Sequence, residues 1–173
     1  MGKTVILTPR ARRFLGCLSA CGLAGSVLVY VQSFSGATTD NSWRWEVLLG
    51  IGAFAVGIPI HISTSPSQKW KFYWKGLPVW ANLCNYLLVL VVIAHFVWYH
   101  SQGRSGVPEI MAGQYVLDSH GRILKVLTHA EYIALKEALL RIFATLMSTC
   151  YFMPMMYWWF GEIAADIKMD SIN

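Results

Sequence analysis

"GQYVLDSHGRILKVLTHAEYIALKEALLR", residues 113–141, reads differently from everything around it. Two short β-favouring runs, Tyr115–Asp118 and Arg122–Leu127, flank Ser119–His120–Gly121, which places glycine where a tight turn needs positive φ. The pattern predicts a β-hairpin. Ile123, Lys125 and Leu127 share one face and Leu124 and Val126 the other, so both faces carry apolar groups. An isolated hairpin is marginal in water, so this one is expected to lean on the following helix or on a membrane surface. That helix opens with Thr128-x-x-Glu131, a capping box. Tyr132, Leu135, Leu139 and Ile142 recur on one face, and Glu137 and Arg141 form an i,i+4 pair. Neither glycine nor proline follows before Pro154, so one helix is expected to rise outside the membrane and continue into it.

The flanking sequence supplies that membrane. The chain has 173 residues, one domain's worth, with 55% hydrophobic and only 13% charged residues. So few charges cannot cover a soluble surface, and 8 Trp, 8 Tyr and 8 Phe point the same way. Apolar runs at 14–34, 45–62, 77–99 and 139–160 are each close to the length that crosses about 30 Å of hydrocarbon. The expected fold is an all-α membrane bundle of four transmembrane helices, with residues 100–138 as a hairpin–helix insert. The first run has a basic flank and exceeds a secretory h-region, which fits a retained signal-anchor.

Orientation follows from lysine and arginine. Lys3, Arg10, Arg12 and Arg13 precede the first run, and Lys69, Lys71 and Lys75 lie between the second and third, both clusters free of acids. By the positive-inside rule both clusters face the cytoplasm, so both termini are expected inside and the insert outside. The net charge of +5 therefore reads as membrane anchoring, and no broad soluble face remains for nucleic acid. Aromatic residues at Trp43, Trp45, Trp70, Tyr73, Trp74, Trp80, Trp98, Tyr99, Tyr157, Trp158 and Trp159 are expected at headgroup level. Gly16, Ala20 and Ala24, with Cys17, Cys21 and Gly25 beside them, and Ala53 and Gly57 in the second run predict close packing of the first two helices, either within the chain or across a dimer.

No reaction emerges. His61 and His95 fall at opposite depths, which does not suit a bis-histidine haem. Met147, Cys150, Met153, Met155 and Met156 could offer soft ligands to Cu(I), but methionine more often fills helix contacts. Cys17, Cys21, Cys84 and Cys150 all lie in apolar runs, so neither a disulfide framework nor loop cysteines for quinone-linked exchange are expected. Ser119, His120 and Asp118 are neighbours on a turn, which is not triad geometry. The expectation is a non-enzymatic protein without cofactor or metal.

The spacing Gly113-x-Tyr115-x-Leu117-x-x-His120-Gly121, then Leu127-Thr128-x-x-Glu131-Tyr132, resembles a segment found in bacterial multi-pass inner-membrane proteins of unassigned function. The resemblance covers about thirty residues, and it implies a bacterial inner-membrane location and no activity. The four-helix plan with both ends inside is also similar, in architecture alone, to immunity proteins that act against pore-forming toxins. The expected role is binding another protein, most concretely a toxin. An accessory or assembly subunit of a membrane complex is the alternative, and a small channel or redox protein a further one. Partner-binding candidates are Asn85 and His95 within lipid, and Tyr115, Asp118, His120 and Arg122 in the insert. Self-association of the chain is compatible with all of these.

Overall fold

Apolar runs in lipid must satisfy their own backbone, and a helix does so within one segment. The computed structural model describes residues 8–35, 42–63, 77–101 and 106–160. In order these form α1 (Pro9–Gln32), α2 (Ser42–Ser63), α3 (Val79–Ser101), β1 (Val107–Met111), β2 (Gln114–Ser119), β3 (Arg122–Val126) and α4 (His129–Phe160). All 4 helices are long and apolar enough to cross a membrane. The loop lysines Lys69, Lys71 and Lys75 and the aromatics Trp70 and Trp74 lie outside the described residues.

α1 begins earlier than its apolar run. Thr8 caps it, its Oγ1 accepting from the Ala11 amide at 3.3 Å, and Pro9 follows at the first helical position. Arg10, Arg12 and Arg13 thus ride in the opening turns of the helix, whose first turn itself contains no acidic residue.

α4 is the axis. Half of its spanning stretch is buried inside the protein, against 6% for α3. Gly16 of α1 lies against Trp158 and Trp159, Gly22 against Tyr151, and the Ser33 carbonyl against Arg141, so α1 runs antiparallel to α4. α2 runs parallel to α4. The Tyr151 hydroxyl donates to the Leu49 carbonyl at 2.7 Å, and the Trp158 indole N–H donates to the Val56 carbonyl at 3.3 Å. α3 is antiparallel: Ala81 packs with Phe152, Met155 and Met156, and Tyr99 with Leu135 and Ala138. The helices therefore alternate up and down.

The expected contact between α1 and α2 is present but is the lesser one. The chief partner of α1 is α4, and its buried stripe is Gly16, Ser19, Ser26, Val29 and Ser33. Cys17, Cys21 and Ala24 are exposed. Ser19, Ser26 and Ser33, each fully buried, recur at heptad spacing. Their hydroxyls donate to the carbonyls of Leu15, Gly22 and Tyr30 at 2.7, 2.8 and 2.6 Å. Satisfied within their own helix, the serines present only small bulk to α4, which lets the helices approach closely. Gly25 does touch α2, where an added Cβ would sit 3.5 Å from a Leu49 methyl. Gly57 meets nothing.

The expected hairpin is a three-stranded antiparallel sheet in the order β1-β2-β3. β1 was not foreseen because "VPEIM" is broken by Pro108, which only an edge strand tolerates. Both turns use a non-glycine residue and then a glycine at positive φ: Ala112 at 50° with Gly113 at 79°, and His120 at 55° with Gly121 at 82°. Positive φ at both central residues is the mirror-image turn whose twist suits a hairpin.

Candidate functional site

α4 has 32 residues, a length of about 48 Å at about 1.5 Å per residue, against about 30 Å of hydrocarbon. The helix is therefore longer than a lipid core is thick, and the sheet packs on its opening turns. The sequence supplies a start signal for these turns. The Thr128 amide donates to Glu131 Oε2 at 2.8 Å, and the Glu131 amide donates to Thr128 Oγ1 at 3.2 Å, the reciprocal capping box. Lys125 Nζ lies 2.6 Å from Glu131 Oε1 and ties β3 to the cap. Glu131 is held at a pKa of about 2, below its ordinary 4.5, by the hydrogen bond from Lys125 first and by those from Thr128 next.

A small core joins sheet to helices. Leu117 and Leu127 pack with Tyr99, Tyr132, Leu135 and Ala138. The Tyr115 ring sits 4.8 Å from Tyr132 and 5.2 Å from His129. The Tyr99 hydroxyl donates to the Gly106 carbonyl at 2.8 Å, pinning the start of β1 to the last turn of α3. Gly106 is required there, since any Cβ would collide with the Asp118 carbonyl.

The sheet gathers four sequence candidates, and two of them serve the fold. Tyr115 belongs to the sheet–helix core. Asp118 is 9% exposed, and its Oδ2 accepts from the Gly121 amide at 3.0 Å, which closes the turn and commits that oxygen to backbone. Its Oδ1 is buried without a partner among the described residues. His120 and Arg122 are exposed. Around them the sheet leaves Val107, Ile110, Ile123, Leu124 and Val126 between 44% and 60% exposed.

The intramembrane candidates go elsewhere. His95 Nδ1 lies 2.8 Å from the Val91 carbonyl, and a carbonyl only accepts, so Nδ1 carries the proton. Nε2 lies 3.4 Å from the Tyr30 hydroxyl, within hydrogen-bonding reach, which joins α3 to α1. Asn85 lies between Ala81 and Leu88 on the flank of α3 packed on α4, with Oδ1 buried and unpartnered among the described residues.

Sequence reading passed over a polar knot beneath the sheet. Arg141 donates through Nη2 to the Ser33 carbonyl at 3.1 Å and to Glu137 at 3.3 Å, and its guanidinium lies 4.5 Å from the Phe34 ring. It places a cation at the C-terminus of α1, where the helix dipole favours one. The signal was an arginine followed by an apolar run, noted only for its pairing with Glu137.

Reactive groups do not converge. Met147 and Cys150 line an open groove of about 260 Å³ between α2 and α4, with Gly50, Ala53 and Gly57 opposite. Met155 and Met156 face α3 instead, so the sulfur run is split between two sides of α4. His61 borders that groove, whereas His95 is in reach of Tyr30 near the opposite end. Among the described residues no group of three or more His, Cys, Asp or Glu could hold a metal ion. Trp158, expected at headgroup level, is 6% exposed and buried against α2.

No family model matches the chain, and neither a curated protein nor a solved structure resembles it.

Proposed function

We propose that this chain is a non-catalytic, multi-pass inner-membrane protein of bacteria that binds another protein through the sheet carried on α4. One observation carries the reading: an ordered sheet is held beyond the lipid core by the projecting turns of α4 and anchored at both ends, by Tyr99–Gly106 and by Lys125–Glu131. A module built only to connect two helices would need neither anchor. The acid-free basic clusters support a topology with both termini in the cytoplasm and the sheet outside. A toxin crossing from outside would meet the sheet before its own helices insert. The most concrete form of the proposal is therefore an immunity protein against a pore-forming toxin.

Gene deletion tests it. Loss of this gene alone should impair cells that make the neighbouring gene product, and loss of both genes should be harmless. If cells still making that product tolerate the single deletion, the immunity reading fails.

The groove between α2 and α4 favours a second reading, an accessory subunit held laterally in a larger complex, because a Cβ added at Gly50 or Gly57 there would meet nothing within 4 Å among the described residues. A mild-detergent extract run on a native gel separates the two. An accessory subunit migrates constitutively with its complex, and an immunity protein does so only when toxin is present.

A further inference from the structure

The two turns of the sheet lie at different heights. Tyr115, near the start of β2, stacks on His129 and Tyr132 in the opening turns of α4, the part farthest from the lipid core. The strand runs from there back towards the end of α3, and Ser119 lies about 13 Å along it at about 3.3 Å per residue. An independent tie fixes the lower end. Gly106 abuts the Asp118 carbonyl and accepts from Tyr99 in the last turn of α3. α3 has 23 residues, and its length of about 34 Å only just exceeds the hydrocarbon thickness of about 30 Å. The Asp118 end of the sheet is therefore at headgroup level, and the Ala112–Gly113 turn is the outermost point.

The side chains agree with this placement. Val107, Asp118 and Ile123 are in register across the sheet. Leu117, next to Asp118, faces the helices with Leu127. A bulge that leaves Leu124 unpaired sets Ile123 opposite Asp118. Ile123 therefore does not share the face of Lys125 and Leu127, as its spacing predicts, but lies with Val107 on the face turned away from the helices. Val107 and Ile123 are each 53% exposed and Leu124 44%. Near the same end, α3 leaves Val97 59% and Trp98 46% exposed. Arg122 stands beside them, while Glu109 and Gln114 are higher on the sheet. Apolar side chains with a cation beside them are what an anionic membrane surface binds.

We propose that the lower rim of the sheet, the His120–Gly121 turn with Val107, Ile123 and Leu124, is seated in the headgroup layer of the bilayer, with Arg122 against anionic lipid. The seat braces the sheet from below and leaves the Ala112–Gly113 turn and its flanks as the surface open to a protein partner. It rests on the membrane-spanning fold and is independent of who the partner is, so a failed deletion test leaves it standing.

Nitroxide labels test the seat in the full chain, reconstituted in phosphatidylethanolamine–phosphatidylglycerol vesicles. Cys17, Cys21, Cys84 and Cys150 are replaced by alanine, and either Ile123→Cys or Gln114→Cys carries the label. The label at 123 should collide with oxygen several-fold more than with a water-soluble nickel chelate, and the label at 114 should show the reverse. Equal nickel access at both positions overturns the seat. Shielding of 123 from both reagents also overturns it, because a protein surface then covers the rim. A second arm needs no substitution. The native chain is irradiated in vesicles containing a phospholipid with a diazirine near its glycerol, and adducts are mapped by peptide mass. Adducts on residues 119–126 with few on 109–114 support the seat, and adducts confined to the helices overturn it.

Discussion

Tyr151 shows how much one residue organises in this protein. It is 2% exposed, its ring fills the space left by Gly22 on α1, and its hydroxyl meets Gly52 and the Leu49 carbonyl on α2. Tyr151→Phe keeps the ring and removes one interhelical hydrogen bond, so it should cost about 0.6–1.7 kcal/mol. Gly22→Leu drives a side chain into the ring and should cost more, about 1–3 kcal/mol. Unfolding titrations in mixed detergent micelles measure both. A Gly22→Leu protein as stable as the native one would refute the α1–α4 packing described here. Nothing near Tyr151 in sequence marks it, because its partners are about 100 and 130 residues away. His95 and Asn85 were noticed since polar groups stand out in an apolar run, yet noticing them did not reveal that His95 bonds Tyr30.

The element most legible in the sequence is the start of α4. Its cap was predicted from Thr128 and Glu131 alone, because a capping box is closed by neighbours in the chain. The Lys125 bond to Glu131 adds a pH dependence. With its folded pKa lowered from 4.5 to about 2, Glu131 contributes stability above pH 4.5 and loses it as the pH falls towards about 2. Glu131→Gln cannot hold that charge. It should melt below the native protein at neutral pH, and the gap in melting temperature should close as the pH is lowered through that window. A gap independent of pH would show that the Lys125–Glu131 pair does not hold the sheet. The turn at His120–Gly121 was equally legible, whereas β1 was not, since a strand interrupted by proline is recognised only by the strand beside it.

At the scale of the whole molecule the four helices are unequally held. α1 and α2 pack on α4 and on each other, whereas α3 packs on α4 and joins α1 through His95. Little of α3 is buried inside the protein, with Ala81 and Tyr99 its buried residues. α3 should therefore loosen first. In a graded addition of denaturing detergent, amide exchange should accelerate in 79–98 before it does in 16–33. The opposite order would mean that contacts to lipid, or to a partner, hold α3 more firmly than its packing suggests. Loosening of α3 should release the sheet as well, because Tyr99 carries the Gly106 tie.

The sequence by itself determined the four apolar spans, the capped start of α4, the second turn of the sheet and the separation of a polar insert from a lipid-soluble body. Each of these depends on composition or on residues a few positions apart, where lipid thickness and backbone geometry act locally. Only the tertiary structure decided that α4 is the axis, that α4 rather than α2 is the chief partner of the small residues of α1, that the sulfur groups diverge and that Tyr115 and Asp118 are occupied by the fold. All of these depend on which helix faces which. In lipid an apolar side chain gains little by choosing one apolar neighbour over another, so the choice passes to close fit and a few hydrogen bonds between residues far apart in the chain. Hydropathy carries no trace of either.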